Sequence, residues 1–346
     1  MAVTDEQVLD ALRRVKYPGF SRDIVSFGLV KNVAVNDGEV TVQLAIATND
    51  PAVPRTIKSE AEMALRELPH VRAAKVLIDI HAPPAAAAAA AGATRIAGIK
   101  HVIAIASGKG GVGKSTVAAN LAVALQKSEA RVGLCDCDIY GPSIALMFGS
   151  RDRPMATDEN RIIPVEQYGL KLMSMGFLLD DTSPAILRGP MVTRYTQQFL
   201  RQVEWGELDF LVLDLPPGTG DIQLTIVQTV ALSGAIIVTT PQEVALIDAR
   251  KAATMFDKVN VPVLGLIENM SYFVSPDSGK RFDIFGSGGG EREAKRLRVP
   301  LLGQIPIDIA TREAADRGLP IVSEAPDSAV SAEFMHIAQQ LREQLA

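Results

Sequence analysis

Apolar positions recur with two different periods over the first part of the chain. In residues 6–15, Val8, Leu9, Leu12 and Val15 share one helical stripe, and Pro18-Gly19 predicts its end. Residues 24–35 and 40–47 predict strands joined by an Asn36-Asp37-Gly38 turn. A second stripe (Ile57, Ala61, Ala64, Leu65, Leu68) predicts a helix over 56–68, and 71–80 a third strand. The order helix, strand, strand, helix, strand makes residues 1–80 a small α+β domain. The pattern lapses at His81-Ala82-Pro83-Pro84 and the alanine run that follows, which has no face to bury, so 81–98 read as an Ala/Pro-rich linker.

From Ile99 the pattern changes to short apolar runs alternating with helical stretches. Residues 101–106, 130–135, 170–175, 210–215, 235–239, 263–268 and 301–305 predict strands. Continuous runs such as Phe210-Leu211-Val212-Leu213 suit strands covered on both faces, as in a mostly parallel sheet flanked by helices. Residues 99–346 therefore predict an α/β domain with its chemistry at the carboxyl ends of the strands. A modest helix is expected over 329–346, with mixed charges and no basic face.

Composition adds exclusions. The 346 residues suit two domains, and 47% hydrophobic and 22% charged residues are ordinary for packed cores. A net charge of −5 disfavours nucleic acid and anionic membranes as partners. Cys135 and Cys137, the two cysteines, are badly placed to bond to each other, which fits a reducing compartment. The first residues lack the basic stretch and apolar run of a signal peptide, and no apolar run predicts a membrane span, so a cytoplasmic location is expected. The four histidines have no metal-ligand spacing.

The chemistry centres on Gly108-Lys109-Gly110-Gly111-Val112-Gly113-Lys114-Ser115-Thr116, set between a buried strand and a helix over 114–127. Glycines let successive N–H groups curl around phosphate oxygens, and the helix N-terminus adds positive potential. Lys114 is placed to reach the β- and γ-phosphates of ATP, and Ser115 to offer its hydroxyl to Mg²⁺. Asp136 and Asp138 follow the second strand of this domain and suit magnesium water ligands and water positioning. The alternative for Asp136 is capping of the next segment. Phe210-Leu211-Val212-Leu213-Asp214 delivers a further carboxylate towards the magnesium shell. The loop that follows, Leu215-Pro216-Pro217-Gly218-Thr219-Gly220-Asp221, suits a switch. Asn269 ends another strand with an amide that can pair with adenine, and Gly303-Gln304-Ile305-Pro306 is a candidate to lie along the base.

The loop, with its early Lys109, resembles the deviant Walker A of MinD/ParA-type ATPases. The resemblance implies an ATP-sandwiched homodimer in which Lys109 crosses to the partner's nucleotide. It also implies that Asp138 orients the attacking water, Asp136 supports the metal shell and Asn269 reads the base. Asp138-Ile139-Tyr140-Gly141-Pro142-Ser143, Arg188-Gly189-Pro190-Met191, the segment 214–221 and Glu268-Asn269-Met270-Ser271-Tyr272-Phe273 narrow the match. Together they resemble the Mrp/ApbC (NBP-type) iron–sulfur cluster carrier ATPases, and residues 4–80 resemble the small domain of iron–sulfur assembly factors. That family implies cluster delivery to apoproteins or exchange with assembly factors. The cluster is held between subunits by a Cys-x-x-Cys after Glu-Asn-Met-Ser-Tyr-Phe. Here the equivalent positions are Ser275 and Ser278, and a serine hydroxyl is a poor, hard substitute for a thiolate. Cys135 and Cys137 can instead pack in the core or bind metal at an interface. The missing thiols leave a second reading beside the carrier: a nucleotide-gated dimeric adaptor with no stable cluster.

Overall fold

The computed structural model describes residues 3–16, 23–25, 28–36, 38–47, 52–81, 93–159, 161–178 and 189–346. Contacts divide the chain into two units, Met1–Ala91 and Gly92–Ala346. The expected Pro18-Gly19 helix stop, Asp37, most of the linker (82–92) and Arg188 lie outside the described residues.

In the first unit α1 (Asp5–Leu12) starts at a reciprocal cap, in which Thr4 and Gln7 each accept the other's backbone N–H. Strands β1 (Val30–Asn36) and β2 (Glu39–Ala47) pair antiparallel, and β3 (Ala73–His81) lies parallel to β2 after the crossover helix α2 (Ala52–Arg66). Val8 and Leu12 of α1 and Ile57 and Leu65 of α2 share one core with Val42, Leu44 and Val76 of the sheet. The expected element order is met, but the strand expected to begin at 24 begins at Val30, because residues 23–25 form a bridge and a turn.

The second unit is built on β4 (Ile99–Ala106), β5 (Val132–Asp136), β8 (Val165–Gln167), β9 (Leu170–Met173), β10 (Leu208–Asp214), β11 (Gly234–Thr239), β12 (Val263–Glu268) and β15 (Leu301–Gln304). Their order across the sheet is β15-β12-β11-β4-β10-β5-β9-β8, parallel throughout except for β8. Two small antiparallel pairs, β6 (Met155–Ala156) with β7 (Ile162–Ile163) and β13 (Phe273–Val274) with β14 (Arg281–Phe282), are too short to leave a periodic signal. Residues 93–98, expected in the linker, pack on this unit, where Thr94 bridges Val230.

The apolar runs in the sequence reflect a sheet buried on both faces. Ile103 and Ile105 of β4 and Phe210 and Val212 of β10 enter one core with α3 (Lys114–Lys127) and α11 (Ala329–Gln344). The alternate residues Val102, Ala104, Leu211 and Leu213 enter the other core, where Val192 and Phe199 of α5 (Gly189–Gln202) and Trp205 pack. Helix α3 buries every residue from Val117 to Leu125, so it is an interior helix between sheet and α11. Among the described residues no helix is long and apolar enough to cross a membrane.

Phe334 of α11 is fully buried on one face of the sheet, and Trp205, the chain's single tryptophan, is buried on the other. Phe334→Ala is expected to cost about 3–5 kcal/mol. The check is a shift of the guanidinium unfolding midpoint read by Trp205 fluorescence, which moves only if the two faces unfold together.

Candidate functional site: a phosphate loop walled by strand-end carboxylates

The strands β4, β10 and β5 are neighbours, and their carboxyl ends place the loop and two acids side by side. Asp214 registers with Ile105 on one side and Asp136 on the other. Ser107, buried at the end of β4, accepts the N–H of Gly218 at 3.0 Å through its carbonyl and donates its hydroxyl to the Lys109 carbonyl at 2.9 Å. The phosphate loop is thus tied to the loop after β10.

Two glycines of the loop answer to close packing. A Cβ on Gly108 would lie 2.1 Å from the backbone of Asp248, in α7 (Glu243–Lys258), and backbone there cannot yield. Gly113 caps α3 at φ +80°, and a Cβ on it would meet Asn269 Nδ2 at 2.2 Å. That amide donates to the Val112 carbonyl at 2.8 Å, so Asn269, at the end of β12, braces the loop from behind.

Lys114, the first residue of α3, buries its ammonium against Asp214 and donates to it, and lies 3.3 Å from the Ser115 hydroxyl. Burial raises the Asp214 carboxyl against the opposing pull of Lys114. Asp214 Oδ2 is buried with no hydrogen-bond partner among the described residues. Lys109 is half-buried and has no ion-pair partner among them.

The two carboxylates after β5 differ sharply. The strand ends at Asp136, so the extended geometry expected to carry Asp136 and Asp138 on one face stops there. Asp136 Oδ2 accepts the N–H groups of Ser143 (3.0 Å) and Ile144 (3.2 Å) and the hydroxyl of Ser174 (2.9 Å), and Oδ1 accepts the N–H of Asp138 (3.0 Å). It therefore caps the turn into α4 (Ile144–Met147), the capping alternative of the sequence reading. Burial first, then the Asp214 charge, pushes its carboxyl up to about 7. Asp138 is only half-buried, accepts among the described residues a single N–H, from Gly141 at 3.2 Å, and borders a cavity of about 260 Å³ with Tyr140, Pro217 and Asp221.

Four supporting residues have no role in the sequence reading. Ser107 and Ser174 act through the bonds above. Gln223, buried in α6 (Asp221–Thr229), donates to the Pro216 carbonyl and holds the loop after β10. Glu268, fully buried, accepts from Ser271 (2.7 Å), Gln304 Nε2 (2.9 Å) and the Gly290 N–H, so it caps α8 (Gly289–Leu297) and fixes the strand end that carries Asn269. Glu268 beside Asn269, upstream of Gly288-Gly289-Gly290, is the one legible signal among them. Pro306 follows β15 at this same edge, half-buried, beside Ile305, which donates its N–H to the Glu268 carbonyl.

Ser275 and Ser278 lie elsewhere, in the tight turn between β13 and β14. There Ser275 N–H donates to the Lys280 carbonyl at 2.9 Å, and Ser278 is exposed. Cys135 and Cys137 are fully buried in the core, with their sulfurs 3.9 Å apart and both thiols free. Contact with Cys135, then burial, holds the Cys137 thiol well above its ordinary range, so core packing is the role the structure supports.

Comparison with known proteins agrees with this architecture. Residues 98–342 match the family of NUBPL iron-transfer P-loop NTPases, and residues 5–94 match a family of iron–sulfur cluster assembly proteins. An iron–sulfur cluster carrier protein of Synechocystis sp. is 44% identical over 346 residues, covering 98% of this chain and 97% of its own length. A nucleotide-binding protein from Archaeoglobus fulgidus, solved with ADP, has a TM-score of 0.59 at 41% identity over 65% of this chain and 88% of that one. The cell division ATPase MinD of Pyrococcus furiosus has a TM-score of 0.56 at 25% identity over 71% of this chain and 100% of that one.

The raised carboxyl of Asp136 has a thermodynamic consequence in the protein free of nucleotide and magnesium. Folded, Asp136 keeps its proton to about pH 7; unfolded, it loses it near 3.8. Between those values the folded state binds the extra proton, so this group's contribution to stability falls as pH rises through the window. Asp136→Asn is expected to flatten the slope of unfolding free energy between pH 4 and 7, measured by denaturant titration at each pH.

Proposed function

The chain belongs to the NUBPL iron-transfer P-loop NTPases, and we propose that it binds and hydrolyses ATP with Mg²⁺ in order to carry iron–sulfur clusters to apoproteins. The names of its relatives favour this reading and lend no support to the adaptor alternative. The observation that carries the nucleotide half is the buried contact of Lys114 with Asp214, whose second oxygen has no hydrogen-bond partner among the described residues.

That orphaned oxygen, with the Ser115 hydroxyl beside it, is the donor set that a magnesium ion and its water shell take. When bound, Mg²⁺ supplies charge neutralisation between the β- and γ-phosphates. With nucleotide bound, Lys114 would give up Asp214 for phosphate oxygens, and Asp214 would be free to hold the ion's water shell. Asp138, with its single N–H bond and its place beside a cavity, positions the attacking water. Asp136 serves by shaping the turn that presents Asp138 and is not assigned to the metal. One Asn269 amide hydrogen is committed to Val112, which leaves the other and Oδ1 for adenine N7 and N6, with Pro306 alongside. Lys109 crosses to the nucleotide of a second copy, closing a homodimer.

The cluster is cargo, and the hairpin between β13 and β14 is where the family's paired cysteines would stand. Ser275 and Ser278 offer hydroxyls, which ionise far less readily than thiols. Cys135 and Cys137 lie inside the core and take no part. We therefore assign cluster retention to thiolates that the donor or acceptor protein brings, with the hairpin as a weak holding point.

Lys114→Ala is expected to reduce Mg-ATP hydrolysis by roughly a hundredfold or more. Lys109→Ala leaves the buried ion pair intact and should lose hydrolysis without losing stability; normal turnover in both variants refutes the site. Anaerobic reconstitution tests the cargo half. Ser275→Cys/Ser278→Cys is expected to retain severalfold more iron and sulfide after desalting than the wild type. Equal retention would remove the hairpin from the cargo path.

A further inference from the structure

The cavity of about 260 Å³ beside Asp138 is lined by acceptors without a cation to match them. Asp138 borders it from the turn after β5, and Asp221 from the first turn of α6. Gln223 lines it from the same turn of α6 and is 1% exposed. Its Nε2 donates to the Pro216 carbonyl, and its Oε1 is buried with no hydrogen-bond partner among the described residues. Flipping the amide would set Oε1 against that carbonyl, so a flip does not relieve it. A buried acceptor of this kind costs stability until a donor reaches it.

The charges on the lining have one sign. No lysine or arginine lines the cavity, and neither Asp138 nor Asp221 forms an ion pair among the described residues. Lys114 is held by Asp214 and stands off the lining, as does Lys109. The start of α6 adds roughly half a positive charge, which two carboxylates outweigh.

The rest of the wall is apolar. Pro216, Pro217 and Ile222 form it, with Tyr140, which is 54% exposed. A hydrated metal ion makes no use of such a wall, and among the described residues no three His, Cys, Asp or Glu side chains are grouped to hold one. A volume below the roughly 300–1,000 Å³ of small-molecule sites suits a single side chain. A guanidinium answers each feature. It carries N–H donors on several edges for the carboxylates and the amide oxygen, a flat face for the Tyr140 ring and a methylene stem for the prolines.

We infer that this cavity receives an arginine side chain from a different protein, its guanidinium set among Asp138, Asp221 and the Gln223 Oε1. In the homodimer proposed above, the cation a second copy brings is Lys109, directed at nucleotide, which leaves this cavity to a separate partner. That choice of source rests on the homodimer reading; the binding of a guanidinium does not.

Propylguanidinium, the arginine side chain alone, is the probe. It is titrated into the full chain without nucleotide or magnesium, at constant ionic strength, and followed by saturation-transfer NMR. Propylurea is its neutral counterpart, and butylammonium represents lysine. The expected result is saturable binding of propylguanidinium and none of propylurea. Asp138→Asn/Asp221→Asn should weaken that binding about tenfold or more. Gln223→Met, which keeps the shape and removes the oxygen, should weaken it about threefold or more. An unchanged Trp205 unfolding transition shows that each variant is folded. Absence of saturable binding overturns the proposal, as does binding that the double variant leaves unaltered or that propylurea equals. Butylammonium binding more tightly than propylguanidinium overturns the assignment to arginine. Sedimentation in Mg-ATP tests the source, and the mass is expected to be the same with and without saturating probe. A dimer that propylguanidinium dissociates and propylurea does not would assign the cavity to the second copy and overturn the separate partner. A chain monomeric in both conditions refutes the homodimer and leaves a separate partner as the source.

Discussion

The buried ion pair between Lys114 and Asp214 is the constraint on which the site depends. An ammonium that is 6% exposed and a carboxylate that is wholly buried are tolerable only together, since removing one partner from such a pair costs about 3–5 kcal/mol. The pair forces the start of α3 against the end of β10. The two meet because β4, which feeds the phosphate loop, is hydrogen-bonded to β10 along its length. The pair also leaves one buried Asp214 oxygen without a hydrogen-bond partner among the described residues, an arrangement that costs stability unless a ligand completes it. The site is thus folded around a buried cation at the first residue of α3.

The strand-end acids separate into two classes by what they touch. Asp136 spends its lone pairs on four donors and Glu268 on three, and each fixes the start of a helix. Asp214 and Asp138 are under-used, with one oxygen orphaned in the first and a single long N–H bond on the second. Acids whose bonds are already made hold the frame, and Asp214 and Asp138 keep acceptor capacity to spare. Asn269 spans both classes, since one hydrogen of its amide braces the loop while the rest of the group remains available.

The hairpin to which the proposed cargo step is assigned is built differently. The β13–β14 hairpin is a small exposed pair of strands, anchored at its base where Phe273 bridges Ile307. Arg281 stacks over Tyr272 at 4.1 Å and pairs with Asp283, which stiffens the base. The tip is presented outward, with residues 276–280 exposed. The thiols of this chain are instead in the core, where their burial serves packing and removes them from exchange chemistry.

Local patterns in the sequence were enough for the parts whose physics is local. The glycine spacing around Lys114, the apolar run ending in Asp214, the helix over 114–127 and the alternation in the first unit are each set within a few residues, because backbone conformation and burial period act at that range. Asn269 could be placed at a strand end for the same reason, whereas Asp138 lies beyond the end of β5. The fate of Asp136 could not be read that way, because it turns on a hydroxyl from Ser174 and N–H groups from Ser143 and Ile144, which only the packing of β5 against β9 brings together. The same holds for Glu268 and Gly290 and for the amide of Asn269 on Val112. Side chains far apart in the chain acquire partners only when strand order is fixed, and strand order is a property of the whole sheet. Sequence alone thus determined which groups could do chemistry here, while the tertiary structure decided which of them remain free to do it.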